Sequence, residues 1–462
     1  MSKSSTYRRI TRRDLLKLGL PAATAVVVVA CTPVAQLTAV PQAESPQPDG
    51  GSTLAGTVIR ILATGDAYGA AMKGAAEAYT AKTGVKVVID QLPYGDAYNK
   101  QVLLSTAGSD EYDIMVVDCI WLPIFTKNGW VQPLEPLEAA AKNKIDWAGF
   151  VPGIVEAYDI FKGQHYAAPI DFFIELLAYR PDLFEKAGLT EAPKTWDEFR
   201  AYAEKLNQVE TGVYAVATMP GEQDGAYSEW TVRLAGLDLP PNANQFVWDK
   251  SFRSMITHNG NGQKALERWL EIQPFTAPGA NEMGYAEANN AFMQGSAAMY
   301  VNWYGFFSDV ENPATSKVAG KVAYALPPRE SIEGPRRDYL GGFEIAIATH
   351  AREPHAAYEF IAYVTSDEGQ EAMLENGASG AYRSFVYKSD KWITRYPFLR
   401  PVADAEEMLP LTGDFAEYFE MQRVIYDQIS ATWVGSKSAA DAMTAADADL
   451  NKLLIDLGYQ KP

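Results

Sequence analysis

Cysteine and histidine are scarce in this sequence. Only two cysteines, Cys31 and Cys119, and four histidines occur among its 462 residues. The histidines are scattered, and no group of cysteines and histidines has the spacing of metal ligands, so we expect no metal site. So few cysteines also exclude a disulfide framework, and a large apolar core must stabilise the fold instead.

The short motifs that carry several common catalytic chemistries are missing too. There is no G-x-S-x-G, no H-E-x-x-H, no G-x-x-x-x-G-K-[ST] and no strand-linked G-x-G-x-x-G. These absences argue against the corresponding hydrolases and nucleotide-dependent enzymes, and we expect no cofactor. Carboxylates are plentiful, however, and a glycoside hydrolase needs only two of them at a suitable separation. Glycoside hydrolysis therefore stays open as an alternative.

Positive charge is also in short supply. The chain has 40 Lys and Arg against 58 Asp and Glu, which gives a net charge of −18. Six basic residues and one acidic residue fall within residues 1–30, so the rest of the chain carries about −23. Because binding to phosphate backbones needs clustered Lys and Arg, we expect no nucleic-acid partner.

Residues 1–30 have the pattern of an export signal. A basic stretch is followed by an apolar run over residues 18–30, which is shorter than the roughly 20 residues of a membrane-spanning helix. Residues 11–17 (TRRDLLK) resemble the twin-arginine export motif. Residues 28–31 (VVAC) resemble a bacterial lipobox, which would make Cys31 the lipidated first residue of the mature protein. An uncleaved signal anchor is the alternative.

Residues 31–53 are rich in Pro, Gln, Ser and Gly and have no hydrophobic periodicity. Such composition is typical of a flexible tether. A coil of this length reaches about 25 Å, enough to hold a folded body close to a membrane.

Beyond the tether, strand and helix patterns alternate. Residues 57–63 and 114–117 predict strands, and residues 70–83 predict a helix between them. A second alternating set begins near Asp171, and Thr195 with Glu198 forms a capping box that predicts the start of a helix. Strands joined by helices indicate βαβ units, so the predicted fold class is α/β with two such sets.

Four stretches resemble the extracellular solute-binding proteins of bacterial ABC importers, in particular the maltose-type sugar-binding group. The most specific is the third, because Y-x-x-D-L-F-x-K-A-G-L and P-x-T-W-D-E-F occur there together and in order. Each motif is weak alone, but four in order are specific. The stretches are residues 75–91, residues 112–137, residues 166–206, and residues 291–304 together with 341–373.

The resemblance implies two Rossmann-like lobes joined by a three-crossover hinge, with a ligand cleft between them, which is the type II periplasmic-binding-protein fold. The expected crossovers lie near residues 170–177, 298–303 and 341–347. The expected N-terminal lobe comprises residues 54–170 and 303–341, and the expected C-terminal lobe comprises residues 171–302 and 342–462. A ligand closes such lobes only by contacting both of them.

Sugar recognition combines aromatic faces with charged or amide side chains, and open α/β sheets bind ligands in loops after strands. Asp171 is the leading candidate, and strand alternation should place Phe173 and Glu175 on the same face. Helix-core packing is the alternative for Trp230, and a surface salt bridge is the alternative for Arg383. The candidate ligand-binding residues are Asp66, Tyr68, Asp118, Trp121, Asp171, Phe173, Glu175, Trp230, Trp303, Tyr304, Glu344 and Arg383.

Together, the leader and the resemblance imply a monomeric, lipid-anchored receptor in the cell envelope, on the outer face of the cytoplasmic membrane. It would capture a carbohydrate or polyol and deliver it to an ABC permease with its cytoplasmic ATPase, and it would catalyse nothing. The alternatives are an exported glycoside hydrolase and a two-lobed receptor for a non-sugar solute such as a polyamine.

Replacing Cys31 with serine tests the anchor. Without the thiol no lipid can be attached, so Cys31→Ser should move the exported protein from the membrane fraction to the soluble fraction, as measured by cell fractionation. Cys119→Ala keeps the anchoring thiol and should stay with the membrane. The affinity of soluble Cys31→Ser for ligand should equal that of the wild type, and a loss of binding would contradict the assignment of residues 31–53 as a tether.

Overall fold

The computed structural model describes residues 54–461 except 66, 241–242, 244–245, 406 and 411–414. The predicted export signal, the tether and Cys31 lie outside these residues. In the described part of the chain, no helix is both long enough and apolar enough to cross a membrane.

The strands are short and are distributed along the whole described chain. They are β1 (Val58–Thr64), β2 (Lys86–Leu92), β3 (Ile114–Asp118), β4 (Ile160–Phe161), β5 (Gln164–His165), β6 (Ala167–Pro169), β7 (Glu175–Tyr179), β8 (Tyr214–Ala217), β9 (Ala297–Trp303), β10 (Ala323–Ala325), β11 (Arg337–Leu340), β12 (Phe343–Ile347) and β13 (Glu407–Pro410).

The helices range from single turns to five turns. They are α1 (Ala67–Thr83), α2 (Tyr94–Thr106), α3 (Leu122–Lys127), α4 (Glu135–Ala140), α5 (Ile154–Tyr158), α6 (Pro181–Lys186), α7 (Trp196–Leu206), α8 (Gln223–Ala235), α9 (Asn261–Leu270), α10 (Tyr285–Met293), α11 (Phe307–Val310), α12 (Pro354–Val364), α13 (Asp367–Glu375), α14 (Asp390–Arg395), α15 (Leu399–Val402), α16 (Tyr418–Trp433) and α17 (Ala439–Asp456).

Two mixed sheets organise the fold. The first sheet has the order β2-β1-β3-β12-β6, and the second has the order β10-β7-β9-β8. In the first sheet, β1 runs parallel to β2 and β3, whereas β12 runs antiparallel to β3 and β6. In the second sheet, β8 runs parallel to β9, and β7 runs antiparallel to β9 and β10. The α/β class is confirmed, although neither sheet is purely parallel.

Helices cover each sheet and complete two lobes. α1 packs on α12 and α13 beside the first sheet, and we call this group the first lobe. α8, α9, α16 and α17 pack on one another, α7 and α10 pack on β8, and these helices complete the second lobe. Alternate residues of β3 enter different core clusters, with Ile114 and Val116 in one and Met115 and Val117 in the other. The strand is therefore buried on both faces, as its uniformly apolar sequence requires.

The predicted capping box opens α7. The Thr195 hydroxyl oxygen accepts a hydrogen bond from the Glu198 N–H at 3.2 Å. The Glu198 carboxylate reaches back one residue further than expected and accepts from the Lys194 N–H at 2.6 Å. Both bonds satisfy backbone donors at the helix start that would otherwise lack partners.

The chain changes sheet at two of the three expected positions. It passes from the first sheet to the second between β6 and β7, and it returns between β10 and β12, where Gly341 and Gly342 lie. Residues 298–303, expected to be a crossover, instead form the body of β9, which pairs with β7 and β8 inside the second sheet. A further passage runs from α13 in the first lobe to α16 in the second.

These passages also correct the expected lobe boundaries. β10, within residues 303–341, belongs to the second sheet, and β12, within residues 342–462, belongs to the first. The chain turns just before β12, where Gly342 has φ +153° and a Cβ would lie 2.8 Å from the Asp171 carbonyl oxygen. Glycine at this position lets the chain re-enter the first sheet at the hinge.

A buried ion pair lies within α8, in the core of the second lobe. The Arg233 Nη1 atom lies 2.9 Å from Glu229 Oε2, and both side chains are at most 2% exposed. The Thr218 hydroxyl donates to the other Glu229 oxygen at 2.7 Å, and the Arg233 guanidinium lies 4.5 Å from the Trp196 ring centroid. Each charge is therefore compensated inside the core.

Removing one partner of this pair should be costly. Arg233→Met leaves the Glu229 carboxylate buried without its counter-charge, and we expect a loss of about 3–5 kcal/mol in the free energy of unfolding. The measurement is chemical denaturation followed by circular dichroism. The control is Arg423→Met, because Arg423 pairs with Asp427 on the surface of α16, with side chains 63% and 50% exposed. That change should cost at most about 1 kcal/mol, and equal losses in the two variants would contradict the prediction.

Candidate ligand-binding site

The first lobe presents a tyrosine and a carboxylate at the carboxyl ends of its parallel strands. Tyr94 follows β2, and Asp118 ends β3. The Tyr94 hydroxyl donates to Asp118 Oδ2 at 2.8 Å, and the Ile120 N–H donates to Oδ1 at 3.1 Å. The Tyr94 ring packs on Trp121 with 4.7 Å between centroids, and its edge meets Phe343 at 6.3 Å. Parallel strands end at one edge of a sheet, which is why these residues meet there.

The second lobe presents a second carboxylate within a hydrogen-bonded chain. The Tyr285 hydroxyl donates to Asp224 Oδ2 at 2.9 Å and accepts from the Trp303 indole N–H at 3.0 Å. The Gln422 side-chain amide donates to the other Asp224 oxygen. The Tyr285 ring stacks on Phe306 with 5.2 Å between centroids and 10° between planes. These residues come from α8, α10, α16 and the end of β9, so only the folded lobe brings them together.

A buried carboxylate lies beneath this series of hydrogen bonds. Glu175 begins β7 and is 2% exposed. The Ser228 hydroxyl donates to it from α8. Its negative charge also contributes to raising the pKa of the Tyr285 hydroxyl, after burial and the charge of Asp224. The tyrosine therefore stays neutral and remains a donor to Asp224.

The two sets of residues face each other. Tyr98 on α2 and Phe419 on α16 are in edge contact at 5.7 Å, which joins the first lobe to the second. Burial raises the pKa of Asp118 to about 6, and the negative charge of Asp224 adds to the rise. Burial raises the pKa of Asp224 as well. Within the described residues, neither carboxylate forms an ion pair with Lys, Arg or His. The cleft between the lobes therefore concentrates negative charge.

Both the sequence and the fold are similar to those of known proteins. Residues 63–371 match the family of bacterial extracellular solute-binding proteins. The chain belongs to this family. A crystal structure of an ABC transporter solute-binding protein from Agrobacterium radiobacter K84 in complex with ribitol has a TM-score of 0.74 and 23% identity, covering 87% of this chain and 100% of that chain. The two-lobed type II fold is therefore shared.

Curated relatives cover most of the chain at low identity. A mannitol-binding protein of Pseudomonas aeruginosa is 24% identical over 382 residues, which are 78% of this chain and 84% of that protein. A probable amino-acid ABC transporter periplasmic-binding protein of Sinorhizobium fredii is 24% identical over 423 residues, which are 88% of this chain and 92% of that protein. Relatives on one scaffold thus carry names that refer to different solutes, and the residues in the cleft have to decide the ligand.

Four predicted residues lie in or directly under the cleft of this solute-binding protein. Asp118 and Trp303 contribute polar atoms to it, Trp121 supports the Tyr94 ring, and Glu175 lies below Tyr285. Phe173 is close by and partly exposed. It pairs with Gly341 at the hinge and packs on Tyr304 with 5.2 Å between centroids.

Asp171 and Glu344 are hinge residues rather than residues of the open cleft wall. Asp171 is 3% exposed, and its Oδ1 atom accepts from the Phe172 N–H at 2.7 Å. A Cβ on Gly380 would lie 1.2 Å from that oxygen, so the loop packs directly on the carboxylate. β7 begins only at Glu175, and the expected alternation with Phe173 and Glu175 therefore does not extend to Asp171. Glu344 is also 3% exposed, and burial raises its pKa well above the ordinary value.

Trp230, Tyr304 and Arg383 are core residues. Trp230 has no exposed surface and donates its indole N–H to the Gly262 carbonyl at 3.0 Å, which agrees with helix-core packing. Tyr304 is likewise fully buried. Arg383 does form the salt bridge that was the alternative, and its partners Asp146 and Asp367 are 63% and 62% exposed, but the arginine itself is buried. Its guanidinium is 2% exposed and lies 2.6 Å from an Asp146 oxygen and 2.8 Å from an Asp367 oxygen.

Two predictions near the first strand are not tested. Asp66 lies outside the described residues. The backbone of Tyr68 lies in α1, and its side chain is outside the described set. No group of three or more His, Cys, Asp or Glu in the described part of the chain is arranged to hold a metal ion.

Sequence reasoning missed Tyr94, Asp224, Tyr285 and Gln422. Tyr94 could have been found, because it follows β2 in the same way that Asp118 ends β3. The other three lie on helices, where no local pattern separates a cleft residue from a surface residue. Their approach depends on how α8, α10 and α16 pack.

The raised pKa of Asp118 predicts a pH dependence of stability. The pKa of Asp118 rises from 3.8 to about 6 on folding. Between these two pH values, Asp118 therefore carries a proton in the folded protein but has released it in the unfolded chain. The resulting stabilisation is complete below about pH 4 and is lost as the pH rises through about 6. Asp118→Asn cannot titrate, so the melting temperature of the wild type minus that of the variant should fall across this window and then level off.

Differential scanning fluorimetry from pH 4 to 8 measures this difference. Asp449→Asn removes an exposed carboxylate on α17 and is the control for the loss of one charge. A difference curve for Asp118→Asn that has the same shape as the control curve would contradict the assignment.

Proposed function

We propose that this protein is the substrate-binding receptor of an ABC importer and that it captures a carbohydrate or polyol in the cleft. The observation that carries the proposal is the composition of the two facing walls. Tyr94, Phe343 and Trp303 provide aromatic surface, and Asp118 and Asp224 provide acceptors beside it.

These groups match the chemistry of a polyhydroxylated ligand. Aromatic faces cover C–H surface, and ligand hydroxyls donate to carboxylates, each such bond contributing about 1.5–3 kcal/mol. The relative named for mannitol and the structure in complex with ribitol support the same class of ligand.

The hinge supports capture by closure. The ligand contacts Asp118 on the first lobe and Asp224 on the second, so its binding free energy favours the closed arrangement over the open one. The chain between the sheets contains Gly341 and Gly342, whose backbone freedom allows the lobes to rotate. A membrane permease would then recognise the closed form and receive the ligand.

The same arrangement argues against glycoside hydrolysis. A hydrolase keeps its two carboxyl groups at a fixed separation, about 5.5 Å for retention and 6.5–9.5 Å for inversion. Here the two cleft carboxylates belong to different lobes, so their separation changes as the cleft opens. We therefore assign binding without catalysis. Consistent with this function, we propose that the receptor is monomeric and lipid-anchored on the outer face of the cytoplasmic membrane.

Isothermal titration calorimetry against mannitol, ribitol, erythritol, maltose and glucose tests the proposal. Binding of at least one of them, together with a rise in melting temperature, is expected. No binding to any carbohydrate or polyol, combined with tight binding of a peptide or a metal ion, would overturn the proposed ligand class.

Truncation of Tyr94 tests the location of the site. The Tyr94 ring is 42% exposed, so Tyr94→Ala should change the unfolding free energy little while it weakens ligand binding about tenfold or more. The matched control is Leu103→Ala on the same helix, where the side chain is 68% exposed. Equal affinities of the two variants would place the site elsewhere.

A further inference from the structure

The polar atoms that the cleft offers a ligand are mainly acceptors. The hydroxyl protons of Tyr94 and Tyr285 are directed to Asp118 and Asp224, and the Trp303 N–H is directed to Tyr285. A neutral hydroxyl group needs both donors and acceptors, whereas an amine in its protonated form only donates. The cleft is therefore better matched to a ligand that donates.

Gln422 adds an acceptor with no partner in the described structure. It is fully buried on α16, and its amide nitrogen donates to Asp224 and to the Tyr418 hydroxyl. Because an ionised carboxylate can only accept, the nitrogen of this amide must face Asp224. The amide oxygen, next to the same carboxylate, has no hydrogen-bond partner among the described residues. A buried acceptor without a partner is costly, which points to a donor supplied by the ligand.

The negative charge of the cleft also favours a ligand that donates hydrogen bonds. Asp118 and Asp224 face each other, and no described basic side chain forms an ion pair with either. Closure around a neutral ligand buries two like charges, or forces one of them to bind a proton. A cation between them removes the repulsion, and the Tyr94 and Trp303 rings can cover its hydrocarbon surface.

We infer that the preferred ligand is a sugar or polyol that carries a protonated amine, held between Asp118, Asp224 and the amide oxygen of Gln422. This inference rests on the proposed function, because it specifies the charge of the ligand in the same cleft. If the ligand carries this charge, Asp118 and Asp224 determine which ligands the cleft selects.

Matched pairs of compounds test the inference on the wild-type protein. The pairs are D-glucamine with D-glucitol and D-glucosamine with D-glucose, compared by calorimetry at pH 7. The amine of at least one pair should bind about tenfold or more tightly than its neutral partner. N-acetyl-D-glucosamine, in which acetylation removes the charge, should lose the advantage of glucosamine.

The possible outcomes distinguish the inferred charge of the ligand from the proposed function. Equal or tighter binding of the neutral members overturns the inference and leaves the proposed function standing. Failure of every carbohydrate and polyol, charged or neutral, overturns the proposed function.

A charge-removing variant locates the amine. Asp224→Asn keeps an acceptor for the Gln422 amide but removes the charge, so it should weaken binding of the amine about tenfold and that of a neutral polyol much less. Asp449→Asn on α17 is the control, and it should leave both affinities unchanged. Equal weakening of the charged and neutral ligands by Asp224→Asn would overturn the inference.

Discussion

The arrangement of the two lobes depends on backbone pairing at the hinge. Phe173 and Gly341 exchange hydrogen bonds of 2.8 and 2.9 Å, and the next residue, Gly342, approaches Asp171 too closely for a side chain. The Ile170 and Asp171 N–H groups also donate to the Phe343 carbonyl, at 3.0 and 3.1 Å, so several backbone hydrogen bonds hold the outgoing and returning passages together. The Gly342 carbonyl also accepts from the Cys119 N–H at 3.0 Å, which ties the hinge to the end of β3. The position of Asp118 relative to the second lobe follows from that connection.

The same region accumulates buried carboxyl groups. Glu344 lies one residue after the hinge-facing end of β12, and its pKa is raised by burial and by the charges of Asp159, Asp118 and Asp171. Such groups oppose stability when they are charged, and they cluster where a protein binds or reacts more often than elsewhere. Here Asp171 and Glu344 lie at the hinge and Asp118 lies in the cleft, so the carboxyl groups gather where the two lobes meet.

The sequence predicted the regular structure better than the site. β3 and α7 were recognisable because an apolar run and a capping box are local patterns. Asp118 was recognisable because it ends a strand at the binding edge of a sheet. The burial of Arg383 was not, because it depends on Asp146, 237 residues away along the chain. Asp224 and Gln422 likewise meet only after α8 and α16 pack, and periodicity contains no information about that approach.

The charge of the whole chain and the charge of the cleft have different consequences. The net charge of −18 is distributed over the protein, and at physiological ionic strength exposed charges are screened beyond about 8 Å. This distributed charge therefore does not select a ligand inside a closed cleft. Asp118 and Asp224 face each other in a partly desolvated space, where screening is weak and a like pair is costly. Selection by charge consequently depends on these two residues, and the fold shared with relatives named for different solutes does not determine it.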